Sequence, residues 1–208
     1  MSEAIVWRAT SGRGDWIGRG TLQRVIDAAA RLGLIEPVAV EPGPEVEASG
    51  EGWEIYANVY PFDEESGWVD GMNNFFLTFD RSRATDSKAL AEAFFETSAP
   101  GDVEYAMIHP WDHWSALSSG PYDVPVTVNI QFRGVSWATF LGPGHLDEFD
   151  RSKLKDLEAH EVNWVDDKGL FVLAVPDLAD ADKKETEPLL EGLTERFRKA
   201  LRPDSRWR

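Results

Sequence analysis

Between Val124 and Phe149 the chain reads VPVTVNIQFRGVSWATFLGPGHLDEF, and this stretch narrows the choice of folds more than any other. Val126, Val128, Ile130 and Phe132 alternate with Thr127, Asn129 and Gln131. That is the period of a strand with one buried face. Arg133-Gly134 offers a turn, and Val135, Trp137 and Thr139 alternate again until Gly142-Pro143-Gly144 interrupts the run. The expectation is a hairpin in the middle of an antiparallel sheet.

The flanking segments supply further strands and three main helices. Glu3 to Ala9 reads as a first strand. Leu22, Val25, Ile26, Ala29 and Leu32 recur at helical spacing, with Thr21 placed to cap the start and Gly33 the end. Trp53 to Tyr60 alternates as a strand, Phe75 to Phe79 is an apolar strand, and Asp86 or Ser87 opens a helix running to about Thr97. Val103 to Ile108 alternates once more, so strand, helix and strand form a crossover unit. Short helices are expected between His145 and Leu157, and a second hairpin in 160–175 about the turn Asp166-Asp167-Lys168-Gly169. The last helix opens at Thr186-Glu187-Pro188 and buries Leu189, Leu190, Leu193, Phe197 and Leu201. The pattern predicts one α+β domain over residues 1–208, mainly antiparallel, with residues 203–208 as a loose tail.

Charge decides which partners suit such a chain. Its 37 Asp and Glu outweigh 21 Lys and Arg, a formal charge of -16, which repels phosphate and disfavours both nucleic acid and anionic membrane. The excess is concentrated: from Leu32 to Asp80 there are eleven acidic residues and no Lys or Arg. Within this segment EPGPEVEASGEG and PFDEESGWVDGMNN read as loops. Like charges so close repel one another unless a cation or a basic surface meets them. The expected partner-binding residues are therefore Glu51, Glu54, Asp63, Glu64, Glu65 and Asp70 for charge, with Trp53, Tyr60, Phe62 and Trp68 as anchors. Exposed Trp also leaves self-association open.

Catalytic patterns are few. Cysteine is absent, which removes thiol chemistry and disulfides. The glycines of SGRGDWIGRG lack the Gly-Lys-Ser/Thr ending of a phosphate loop, and Gly-x-Ser-x-Gly does not occur. His109, Asp112 and His113 are the one crowd of metal-ligand types, which a metal-dependent hydrolase would need, although Pro110 aligns the two histidines only if a helix begins there. His145 and His160 each have acidic neighbours in sequence, the raw material of acid–base chemistry. Trp-rich loops would also suit a small-ligand or carbohydrate-binding module. No basic n-region leads into an apolar run at the start of the sequence, so a soluble, cytoplasmic protein is expected.

Several of these segments together resemble a known group. Trp137-Ala138-Thr139-Phe140-Leu141-Gly142-Pro143 with a following short helix, the hairpin EVNWVDDKGLFVLAV and the amphipathic C-terminal helix are similar to immunity proteins of bacterial polymorphic-toxin and type VI secretion systems. Within that group the resemblance is to the immunity protein family numbered 52 and to a related type VI immunity family. It covers about residues 124–202, with support from the strand, helix and strand of 75–108. It implies an α+β protein without enzyme activity and without a cofactor, which binds and neutralises a cognate toxin, commonly a nuclease. An acidic face able to cover a basic cleft agrees with that implication on separate grounds.

Overall fold

A computed structural model describes residues 4–11, 20–41, 45–59, 73–100, 103–110 and 134–205. Among these residues eight strands form one antiparallel sheet: β1 (Ala4–Ser11), β2 (Glu45–Gly50), β3 (Trp53–Val59), β4 (Asn73–Asp80), β5 (Tyr105–Pro110), β6 (Ala138–Leu141), β7 (Glu161–Val165) and β8 (Gly169–Leu173). Their spatial order is β2-β3-β4-β1-β5-β6-β8-β7. The main helices are α1 (Thr21–Arg31), α2 (Ser87–Ser98) and α4 (Glu187–Ala200), with a single turn, α3 (Pro143–Leu146), after β6. The α+β, mainly antiparallel architecture expected from the sequence is the one that forms.

Both faces of the sheet are buried near its middle. Ile5, Trp7, Ile55, Phe75, Leu77, Phe79 and Phe140 pack with Leu22, Val25 and Ile26 of α1 and with Leu90 and Phe94 of α2. Tyr105, Met107, Leu141, Leu170 and Val172 point the other way and pack with Leu190, Leu193 and Phe197 of α4. Every residue of β5, β6 and β8 is consequently buried. The half-buried alternation expected over 103–108 is therefore replaced by a strand covered on both faces, where alternation carries no polar side.

Helix ends follow local chemistry, with one departure. Asp86 caps α2 by accepting from the Ala89 N–H at 2.9 Å. Thr21 does not cap α1: Gly20, with φ 73°, takes that position, and Thr21 is a buried first-turn residue whose Oγ1 accepts from Arg24 at 2.8 Å. At the other end Gly33, with φ 73°, lets Gly33 N–H reach Ala30 O and Leu34 N–H reach Ala29 O, both at 3.0 Å. This is the Schellman arrangement that an L side chain would strain. Leu34 seals it as a buried residue.

One expectation about strands is corrected, and the pairing decides two further points. Glu45–Gly50, read as loop, is the edge strand β2, paired with β3 from Glu45↔Asn58 to Gly50↔Trp53. The crossover strands β4 and β5 do not pair with each other, because β1 lies between them and is antiparallel to both. Finally, β6 has β5 on one side and β8 on the other. Residues 124–132, read as the first arm of the central hairpin, lie outside the described residues. The approach to β6 is held by side chains: Thr194 Oγ1 accepts from the Val135 N–H at 2.9 Å, and the Tyr105 hydroxyl donates to Gly134 O at 3.2 Å. The C-terminal turn is tied back as well, since Arg202 N–H donates to Glu148 O at 2.9 Å and the Ser205 hydroxyl to the Glu148 carboxylate at 2.8 Å.

Candidate functional site

Helices α1 and α2 cover only one face of the sheet at its β2 end. Period-two alternation sends Glu45, Glu47 and Ser49 of β2, Glu54 and Tyr56 of β3, and Phe76 and Thr78 of β4 to the opposite face. The four β2 and β3 positions Glu45, Glu47, Ser49 and Glu54 are exposed, while Tyr56, Phe76 and Thr78 are half-buried. The Tyr56 hydroxyl donates to Glu45 at 2.9 Å, and its ring lies 6.5 Å from that of Phe76. Next to Phe76 on the same face, the guanidinium of its β1 partner Arg8 lies over the Phe76 ring, 5.0 Å from its centre, and Arg8 is buried. The result is a face exposed along β2 and β3, with half-buried Tyr56 and Phe76 beside the carboxylates and buried Arg8 toward β1.

Of the expected contact residues, Glu51 and Glu54 are exposed on this part of the molecule, Glu51 in the β2–β3 turn. Trp53 differs from the expectation: it is 8% exposed and belongs to the core, because its place in β3 turns it toward α1 and α2. Its indole N–H donates to Glu36, whose other oxygen accepts from Arg83 at 3.2 Å. The bond from Trp53, helped by Arg83, holds the Glu36 carboxyl below its ordinary range. Arg83 also reaches Leu34 O and Glu51 O. One acid of the cation-free segment thus already has its cation, supplied from just beyond that segment. Tyr60, Phe62, Asp63, Glu64, Glu65, Trp68 and Asp70 lie outside the described residues. Tyr56 and Phe76 were missed by sequence reasoning, and so was the ordering of Glu45 and Glu47 on a strand; the Glu-x-Glu alternation beside buried Val46 was the signal for the latter.

The histidines have other surroundings. His109 is fully buried in β5, and Pro110 closes that strand rather than opening a helix. Asp112 and His113 lie outside the described residues, among which no group of three or more His, Asp or Glu is placed to hold a metal ion. His145, buried in α3, stacks on Tyr105 with ring centres 5.5 Å apart, and its Nδ1 is 3.8 Å from Glu104. Glu104 accepts from the Gly144 N–H at 2.8 Å. Burial pushes its carboxyl up, but His145 and the Gly144 N–H outweigh burial and leave it below the ordinary value. This pair fastens the start of β5 to α3. His160 lies at the opposite end of the sheet, beside a groove between α2 and β8.

No protein-family model matches the chain, and no curated protein does. Among solved structures, a T6SS protein of Pseudomonas aeruginosa, PA0821, is similar in fold, with a TM-score of 0.56 at 12% identity over 94% of this chain and 74% of that one. No helix among the described residues is long and apolar enough to cross a membrane.

Proposed function

We propose that the protein is an immunity protein: it binds a cognate bacterial toxin and neutralises it without a catalytic step. The observation that carries this reading is the exposed face of β2 and β3 with the adjoining part of β4, where Glu45, Glu47 and Glu54 lie to one side of Tyr56 and Phe76. Rigid aromatic anchors beside steering charge are what a protein interface uses. A net charge of -16 selects a basic partner, and a nuclease effector acting in the cytoplasm presents such a surface in its substrate cleft. The fold shared with a T6SS protein supports placing the toxin among effectors of that kind.

The test is co-expression with the toxin encoded beside this gene, followed by purification of the pair. Restored growth together with a stable complex is expected. A folded protein that neither restores growth nor binds would overturn the reading.

A further inference from the structure

The strand β7 ends the sheet opposite to the acidic face, and no described residue hydrogen-bonds to it from the side away from β8. A free edge presents backbone N–H and C=O groups to any extended chain that approaches, and proteins usually guard such edges. This one is instead flanked by apolar surface on both faces. On one face a groove of about 440 Å³ runs between α2 and β8. Its floor is Ala91, Phe95, Phe171 and Leu173, with the rings of Phe95 and Phe171 5.3 Å apart. Lys88, Ala91, Glu92 and Phe95 reach it together because residues three and four apart share one side of a helix. On the other face Trp164 is 36% exposed, the one large apolar side chain so exposed among the described residues.

We propose that β7 is a second docking edge, which takes an extended, lysine- or arginine-bearing segment of another protein as a ninth strand. Alternate side chains of the added strand fall on opposite faces, so a basic one meets Glu161 on the groove face while an apolar one covers Trp164. Charge selects the sign of the partner. From Glu158 to Gly169 there are four acids and one lysine; Arg151 pairs with Asp167 at 3.4 Å, which leaves Glu158, Glu161 and Asp166 in excess over Lys168, and Lys88 at the groove is paired with Glu92 at 3.8 Å. The proposal is independent of the immunity reading: this edge and the acidic face are separated by the width of the sheet.

The probe is an acetylated, amidated seven-residue peptide alternating lysine with valine and phenylalanine, titrated into the full-length protein and followed by backbone NMR. Shifts confined to residues 161–165 and the groove are expected, with slowed amide exchange along β7. Binding should be at least ten times weaker when glutamate replaces the lysines, and at least five times weaker for Glu161→Lys, a change at an exposed position. A peptide N-methylated at alternate amides cannot complete the ladder and should lose binding. Equal affinity of the N-methylated peptide, or shifts centred on Glu47 and Glu54, would overturn the proposal. So would a concentration-dependent dimer in sedimentation that Glu161→Lys alters, since that would give the edge to a second copy.

Discussion

The indole N–H of Trp53 donates to the carboxylate of Glu36, joining the first residue of β3 to the segment that follows α1. The bond depresses the carboxyl of Glu36, with Arg83 adding to the effect. A depressed carboxyl stabilises the fold above its unfolded value of about 4.3, and the contribution disappears as pH falls through the folded value. Trp53→Phe keeps a buried ring but removes the donor. Its Tm at pH 7 should fall, and its further loss of Tm between pH 5 and pH 3 should be smaller than that of the parent. Equal deficits at every pH would reduce the role of Trp53 to packing. Trp53→Ala should cost about 3–5 kcal/mol in denaturant unfolding, the range for emptying a large aromatic site.

Glu104 offers a second reading of pH. Its carboxyl is also depressed, so its contribution is present at neutral pH and lost on acidification below about 4.3. Glu104→Gln should destabilise by about 1–3 kcal/mol at pH 7, the scale for removing a charged acceptor from partly buried donors. Denaturant curves of the two proteins should converge as the parent is acidified; a deficit that persists at pH 3 would mean that Glu104 acts through shape alone.

The two turn glycines separate backbone strain from collision. Gly33 and Gly52 have φ of 73° and 71°, but a Cβ on Gly33 meets nothing within 4 Å, whereas one on Gly52 would stand 2.5 Å from the Asp80 carboxylate. Gly33→Ala should therefore cost about 1 kcal/mol from the left-handed backbone alone. Gly52→Ala should cost more, because Asp80 must move where its own N–H bonds Gly52 O at 2.9 Å. Thermal unfolding of both variants gives the order; a smaller effect at Gly52 would contradict the geometry.

How much of this was legible in the sequence depended on whether one residue faces one environment. The stripes of α1, α2 and α4 were, because an amphipathic helix announces its buried side, and so was the hairpin of β7 and β8 about its Asp-Lys-Gly turn. Within the sheet, alternation fails when helices cover both faces, which is why Val103 to Ile108 reads as half-buried although β5 is buried throughout. The edge strand β2 was hidden by its composition, since Gly, Pro and Glu signal turns unless pairing with β3 supplies the missing stabilisation. Partners distant in sequence were not visible. Nothing local joins Thr194 to Val135, or His145 to Glu104, yet these contacts position the approach to β6 and the start of α3. In the acidic segment the charge was readable but its sorting was not: Glu36 is committed to Trp53 and Arg83, while Glu47, Glu51 and Glu54 stay exposed.

That sorting sets the final prediction. Under the proposed function, the exposed acids act by steering and should show themselves in rates. The triple change Glu47→Lys, Glu51→Lys and Glu54→Lys touches no core side chain, so Tm should move little. It removes three negative charges and adds three positive ones, and should slow association with the toxin about 10-fold or more at low ionic strength. The gap should close toward 0.5 M salt, where the screening length falls to a few ångströms, about 4 Å. Dissociation should change less, because steering charges at an interface margin act mainly on encounter. Tyr56→Ala supplies the complement: loss of an anchor beside these acids should raise the dissociation rate and leave the salt dependence of association intact. Stopped-flow or surface-binding kinetics across a salt series separates the two variants. If the triple change leaves association untouched at low salt, the toxin docks elsewhere, and the exposed face of β2 and β3 loses its assignment.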